Sequence, residues 1–158
     1  VRRLGGVHNR AAADRHEAAE IAVFGEKDYQ QFVLLERMIK DLQLSIQVES
    51  TPIQREKDGL AMSTRNQYLT ADERRVAPKL HAELERVRNS LREGDQDYQA
   101  VEARASLALE TAGFDPDYVE VRRAADLGRP NGMGSCEGLI VVAAAWLGRA
   151  RLIDNVRV

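Results

Sequence analysis

The sequence predicts an α/β chain in which one βαβ unit is followed by a small α+β region with an antiparallel sheet. Three observations carry that expectation. An apolar run ends at Gly25 and gives way to a helical stripe, a second alternating segment ends at Pro52, and beyond Thr70 two helical patterns precede a group of strand patterns without alternating with them.

Ile21-Ala22-Val23-Phe24, stopped by Gly25, has the profile of a buried strand ending in a turn. Leu34, Leu35, Met38, Ile39 and Leu42 recur at helical spacing, so an amphipathic helix with one buried stripe is expected from about Asp28 to Leu42, with Asp28 capping its first turn. Ser45 to Ser50 alternates with Ile46 and Val48 on one face, and Pro52 ends this second strand. Lys57-Asp58-Gly59 then forms a turn, and the polar run Ser63-Thr64-Arg65-Asn66 marks a domain boundary. Thr70-Ala71-Asp72-Glu73 has capping-box spacing, which starts a helix at Ala71. Its stripe, Val76, Leu80, Leu84, Val87 and Leu91, continues to Gly94, and Pro78 is expected to kink or split it. Asp97 can cap another helix carrying Val101, Leu107 and Leu109, stopped by Gly113. Tyr118 to Arg122 alternates as a strand, and Leu139–Leu147 and residues 151–153 read as two strands turning at Gly148, with Trp146 in the strand core. Gly128 to Gly138 is an exposed, mobile loop by composition.

The 158 residues, 44% apolar and 30% charged, suffice for one ordinary core or two small ones. A net charge of -2 offers no general attraction for nucleic acid or an anionic membrane, so any bound anion must be held locally. The run Leu139–Leu147 is too short to span a bilayer, and the polar start shows no signal-peptide segment, so a cytoplasmic address is the simplest reading. Cys136, the single cysteine, excludes an internal disulfide and reads as an inert thiol in a loop. His8 and His16 match no zinc spacing, and His81 reads as a rim histidine, so none is given a role.

Two constellations could carry chemistry. Gly25-Glu26-Lys27-Asp28-Tyr29-Gln30-Gln31 lies where a strand gives way to a helix, the place where parallel sheets bind ligands and helix amides meet anions. Gly25 permits close backbone approach, Lys27 brings charge, and Asp28 and Gln31 could bind hydroxyl or carboxylate groups. The same residues also read as a solvated turn. Met62-Ser63-Thr64-Arg65 sets two hydroxyls and a guanidinium side by side near Gly59, a segment that could close over a polyphosphate or serve as a polar linker.

FGEKDYQQ, a helix and strand leading to TPI, then KDGLAMSTRNQYLT, and finally VVAAAWLGRARLIDN occur in the order and spacing of one family, and from about Glu20 to Val158 the chain resembles the C-terminal portion of pantothenate synthetases, the pantoate–β-alanine ligases. The resemblance implies that residues 1–62 are the C-terminal part of a Rossmann-like nucleotidylyltransferase domain binding ATP and pantoate. Residues 63–158 would then be a small α+β lid domain. It implies ATP-dependent condensation of pantoate with β-alanine through a pantoyl adenylate, with Mg2+ as cofactor, and a cytoplasmic homodimer in the full-length enzyme. By the same resemblance Lys27 contacts ATP phosphates, Asp28 and the Gly25 backbone hold the adenosine side, and Gln31 binds pantoate. Ser63, Thr64 and Arg65 match the family's counterpart of the KMSKS loop, Met62 borders the nucleotide, and Pro52 and Gln54 fall where the adenine pocket is lined. The alternative is a non-catalytic lid or association module of that enzyme.

Residues 1–20 depart from the family, show no strand or helix period, and are expected to be disordered or non-native. The family's HxGH-type signature is also not found in these residues, so the 158-residue chain alone is expected to make no pantothenate. An uncovered βαβ edge predicts self-association.

Overall fold

A computed structural model describes residues 21–130 and 136–158. The expectations for residues 1–20, including His8 and His16, and for the centre of the 128–138 loop lie outside the described residues. Strand β1 (Ile21–Gly25) pairs in parallel with β2 (Gln47–Thr51), Ile21 opposite Gln47 and Gly25 opposite Thr51, and helix α1 (Tyr29–Asp41) connects them. A single 3-10 turn, Glu26–Asp28, joins β1 to α1. Asp28 occupies the N-cap position, yet its side chain makes no capping bond, so that expectation is not met.

Two burial expectations for this unit are corrected. Ile21 and Val23 are exposed at 51% and 57%, so β1 is covered on one face instead of two. On α1, Leu34 and Leu42 are exposed at 67% and 61%, and the buried residues are Tyr29, Phe32 and Ile39. The reason is the direction from which α1 is covered. Tyr29 and Phe32 pack with Ala124, Ile140 and Val142 of the second half of the chain, which turns the face of Leu34, Met38 and Leu42 away from every described core residue. Apolar residues cover more than one face of this helix, so periodicity alone does not say which face is chosen.

Helices α2 (Ala71–Val76) and α3 (Lys79–Arg92) are separated at Pro78, as the missing amide donor of proline requires. The capping box is present in full: the Glu73 amide donates to Thr70 Oγ1 at 3.3 Å and the Thr70 amide to Glu73 Oε2 at 2.7 Å. Leu80, Leu84, Val87 and Leu91 form the buried stripe of α3. Helix α4 (Tyr98–Thr111) starts at Asp97, which accepts from the Ala100 amide at 3.0 Å, and its chain reverses at Gly113 with φ of +99°. Its buried face is Val101, Glu102, Ala105 and Leu109, and Leu107 points outward, 63% exposed. Leu107 and Leu109 are two apart and cannot share one helical face.

Strands β3 (Asp115–Arg123), β4 (Leu139–Leu147) and β5 (Ala150–Arg157) form an antiparallel sheet in that order. β5 is longer than its apolar pattern suggested, because its polar members are buried through hydrogen bonds. Central β4 is covered on both faces, which explains its unbroken apolar run. Leu139, Val141, Ala143, Ala145 and Leu147 face α3 and α4 in the larger core, whereas Ile140 and Val142 face α1. Trp146 is 40% exposed and not in the core, since it lies on the α1 face at the end of β4 that α1 does not reach. At the outer edge of β3 the Val121 amide donates to the buried Glu102 carboxylate at 2.7 Å, closing a strand edge with a helix side chain.

Candidate active site

The start of α1 and the α1-facing side of the antiparallel sheet enclose a cleft of about 230 Å³. Its wall includes Lys27, Asp28 and Gln31 from the first motif, Arg65 from the second, and Arg151 from β5. The two segments that carry Lys27 and Arg65 are therefore brought to one concavity. Gly25, Pro52, Gln54, Met62, Ser63 and Thr64 do not line it. Gly25 and Pro52 are exposed, the Gln54 carbonyl accepts from the Met62 amide at 2.8 Å, and Ser63 Oγ accepts from the Arg65 amide at 3.2 Å, capping the 3-10 segment Thr64–Tyr68.

Lys27 is tied to two other segments, through its ammonium to Met62 and through its carbonyl to Asn155. Its ammonium donates to the Met62 carbonyl at 3.2 Å, which ties the first motif to the second. Burial pushes its pKa below the ordinary lysine value; Asp28 and Asp154 oppose that shift, and Arg65 and Arg55 reinforce it. An ammonium partly stripped of water, beside a second cation on the same cleft wall, can form a strong charge-assisted bond to an anion.

Four residues about this cleft had no role in the sequence reading. Arg151 lines the cleft and is paired through Nε with Asp117 at 2.5 Å. Asp154, only 4% exposed, receives two bonds from Arg55, at 2.7 and 2.9 Å. Asn155 donates from its side-chain amide to the carbonyls of Glu26 and Lys27 at 2.8 and 3.1 Å. His81 sits on the rim as expected but faces inward, Nδ1 lying 3.5 Å from Asp154 Oδ2; burial first, then Arg55, lowers its pKa, so it is largely neutral at pH 7. A signal for the polar pair on β5 was present: an acid and an amide set between Leu152-Ile153 and Val156 cannot be buried without partners.

Residues 16–157 match the family model described as pantoate-beta-alanine ligase. A pantothenate synthetase of Alkalilimnicola ehrlichii is 51% identical over 137 residues, which are 87% of this chain and 47% of that protein. The crystal structure of pantothenate synthetase from Thermus thermophilus superposes with a TM-score of 0.79 at 34% identity, over 87% of this chain and 49% of the other. Pantoate-beta-alanine ligase from Francisella tularensis, solved in complex with beta-gamma ATP and beta-alanine, gives a TM-score of 0.61 at 26% identity, over 87% of this chain and 43% of that one. The chain thus spans about half the length of the relatives it matches, and their C-terminal portion is the part it resembles. With a family model covering nearly all of its residues, the chain belongs to the pantoate–β-alanine ligase family.

Proposed function

We propose that this chain forms one wall of the ATP and pantoate site of a pantoate–β-alanine ligase and the lid over it. The observation that carries the reading is the shared cleft of Lys27, Arg65 and Arg151, three cations from three separate segments. In the reaction the pantoate carboxylate attacks the α-phosphorus of ATP, the bond to pyrophosphate breaks, and pantoyl adenylate forms. The amine of β-alanine then attacks the acyl carbonyl and AMP leaves. The first step brings an anion toward a polyanion, and each cation placed where charge accumulates is worth a few kcal/mol of barrier, roughly 3 in a dry site. No protein base is required there, because pantoate arrives ionised.

In this reading Lys27, Arg65, Ser63 and Thr64 grip the phosphates, with Arg151 as a further cation; Gln31 binds pantoate; Asp28, the Gly25 backbone, Met62, Pro52 and Gln54 border the nucleoside. Residues 1–62 belong to the nucleotide-binding domain and residues 63–158 to the lid. Among the described residues no three His, Cys, Asp or Glu side chains gather to hold a metal. Magnesium is proposed to enter with the triphosphate. No described helix is long and apolar enough to cross a membrane. The full-length enzyme is proposed to be a cytoplasmic homodimer, and the 158 residues alone are proposed to be inactive. A second reading, a lid or association module without catalysis, is favoured by the position of the larger core, which lies almost wholly in the later segment.

Calorimetric titration with ATP separates the two. The first reading expects affinity to fall about tenfold or more on Lys27→Ala and on Arg65→Ala, the loss of one charge-assisted contact each. No heat at millimolar ATP, or wild-type affinity in both variants, leaves only the second.

A further inference from the structure

The two consecutive polar residues buried at the end of β5 each hold a different cation-bearing segment. Asn155 reaches the 3-10 turn of the first motif, donating to the carbonyls of both Glu26 and Lys27. Asp154 reaches the second. It binds both terminal nitrogens of Arg55, and the same guanidinium donates to the Gly59 carbonyl at 3.1 Å. The Arg55 backbone also bridges to Ala61, next to Met62, whose carbonyl receives the Lys27 ammonium. Both residues are pinned in the sheet, Asp154 opposite Ala143 and Asn155 opposite Val142. Successive side chains on a strand point to opposite faces, so one rigid dipeptide can grip two chain segments at once.

We propose that Asn155 is a positioning residue which, with its neighbour Asp154, fixes the spacing between the Lys27 and Arg65 segments and so sets the cation geometry across a bound polyphosphate. This rests on the phosphate-binding reading above. A three-residue 3-10 turn has too few internal bonds to hold a lysine in a desolvated position by itself. The Asn155 amide supplies the missing constraint through the backbone carbonyls of Glu26 and Lys27. The groups that act on the Lys27 ammonium are Asp28 and Asp154, which favour its charge, and Arg65 and Arg55, which oppose it. Replacing Asn155 with an uncharged residue changes none of them.

The test is an NMR titration of the Lys27 side chain in the 158-residue chain, alongside tripolyphosphate affinity and thermal unfolding, for wild type and Asn155→Leu. Asn155→Ala serves if leucine prevents folding. The expected result is a Lys27 midpoint that moves up toward the ordinary lysine value as the side chain swings into water, with affinity about tenfold weaker. A folded variant with an unmoved Lys27 midpoint overturns the proposal, whatever its stability, because Lys27 then stays desolvated without the Asn155 amide. A moved midpoint in a chain whose wild type binds no tripolyphosphate supports the positioning role and overturns the phosphate reading instead.

Discussion

Lys27 carries a cost in the free chain. Its folded-state pKa lies below the unfolded value because burial disfavours the ammonium. Below the folded pKa both states hold the proton and the penalty is present in full. Between the folded pKa and the ordinary value the unfolded state binds more protons, so stability rises with pH. Lys27→Met is therefore expected to raise the melting temperature at pH 7, with a gain that shrinks as the pH climbs toward the ordinary lysine range; a melting temperature lowered at pH 7 contradicts this. Arg55 presents the opposite case. Removing it leaves the Asp154 carboxylate buried without its bidentate partner, and Arg55→Ala is expected to cost about 3 kcal/mol in urea unfolding. A change below about 1 kcal/mol would mean that the pair is solvated.

Among the elements, the motifs that could be read from sequence were those in which the local chain determines the outcome. The Thr70 capping box, the Pro78 break, the Asp97 cap and the Gly113 stop each depend on neighbours within a turn, and each is found where the sequence placed it. Faces were less legible. Which side of α1 is buried depends on a sheet far downstream in the chain, and Leu34 and Met38 carry no mark of that choice. One tertiary contact links two local motifs. Gly148 has φ of +56°, and a Cβ there would overlap the Glu73 carboxylate that completes the capping box. Thr70→Ala is expected to cost about 1 kcal/mol. Gly148→Ala is expected to cost more, because it adds backbone strain to the displacement of Glu73. The pair should be sub-additive, since both disrupt the same cap; strict additivity in denaturant melts would show that Glu73 moves aside freely.

For the whole molecule, the site was legible in part. Lys27, Asp28, Gln31 and Arg65 stand in runs whose residue types speak for phosphate chemistry, and all four line the cleft. Arg151 carried no mark of its role, and the polar pair Asp154 and Asn155 could be flagged but not assigned, because the partners, Asp117, Arg55 and the Glu26 and Lys27 carbonyls, lie far away in the chain. Ile21, Val23, Leu34, Met38, Leu42 and Leu44 leave the βαβ unit with an apolar surface that no described residue covers. Such a surface favours association. Light scattering at increasing concentration is expected to show self-association of the 158-residue chain. Leu34→Lys with Leu42→Lys should reduce it while changing stability by no more than about 0.5 kcal/mol per site. A clean monomer at all concentrations contradicts this.

The most direct measurement is a double-mutant cycle on tripolyphosphate affinity with Lys27→Ala, Arg65→Ala and both together. If the two cations act on one polyanion, each substitution weakens binding by about tenfold or more, and the combined loss differs from their sum. Wild-type affinity in either single variant would show that the cleft these residues share is not where the phosphates sit.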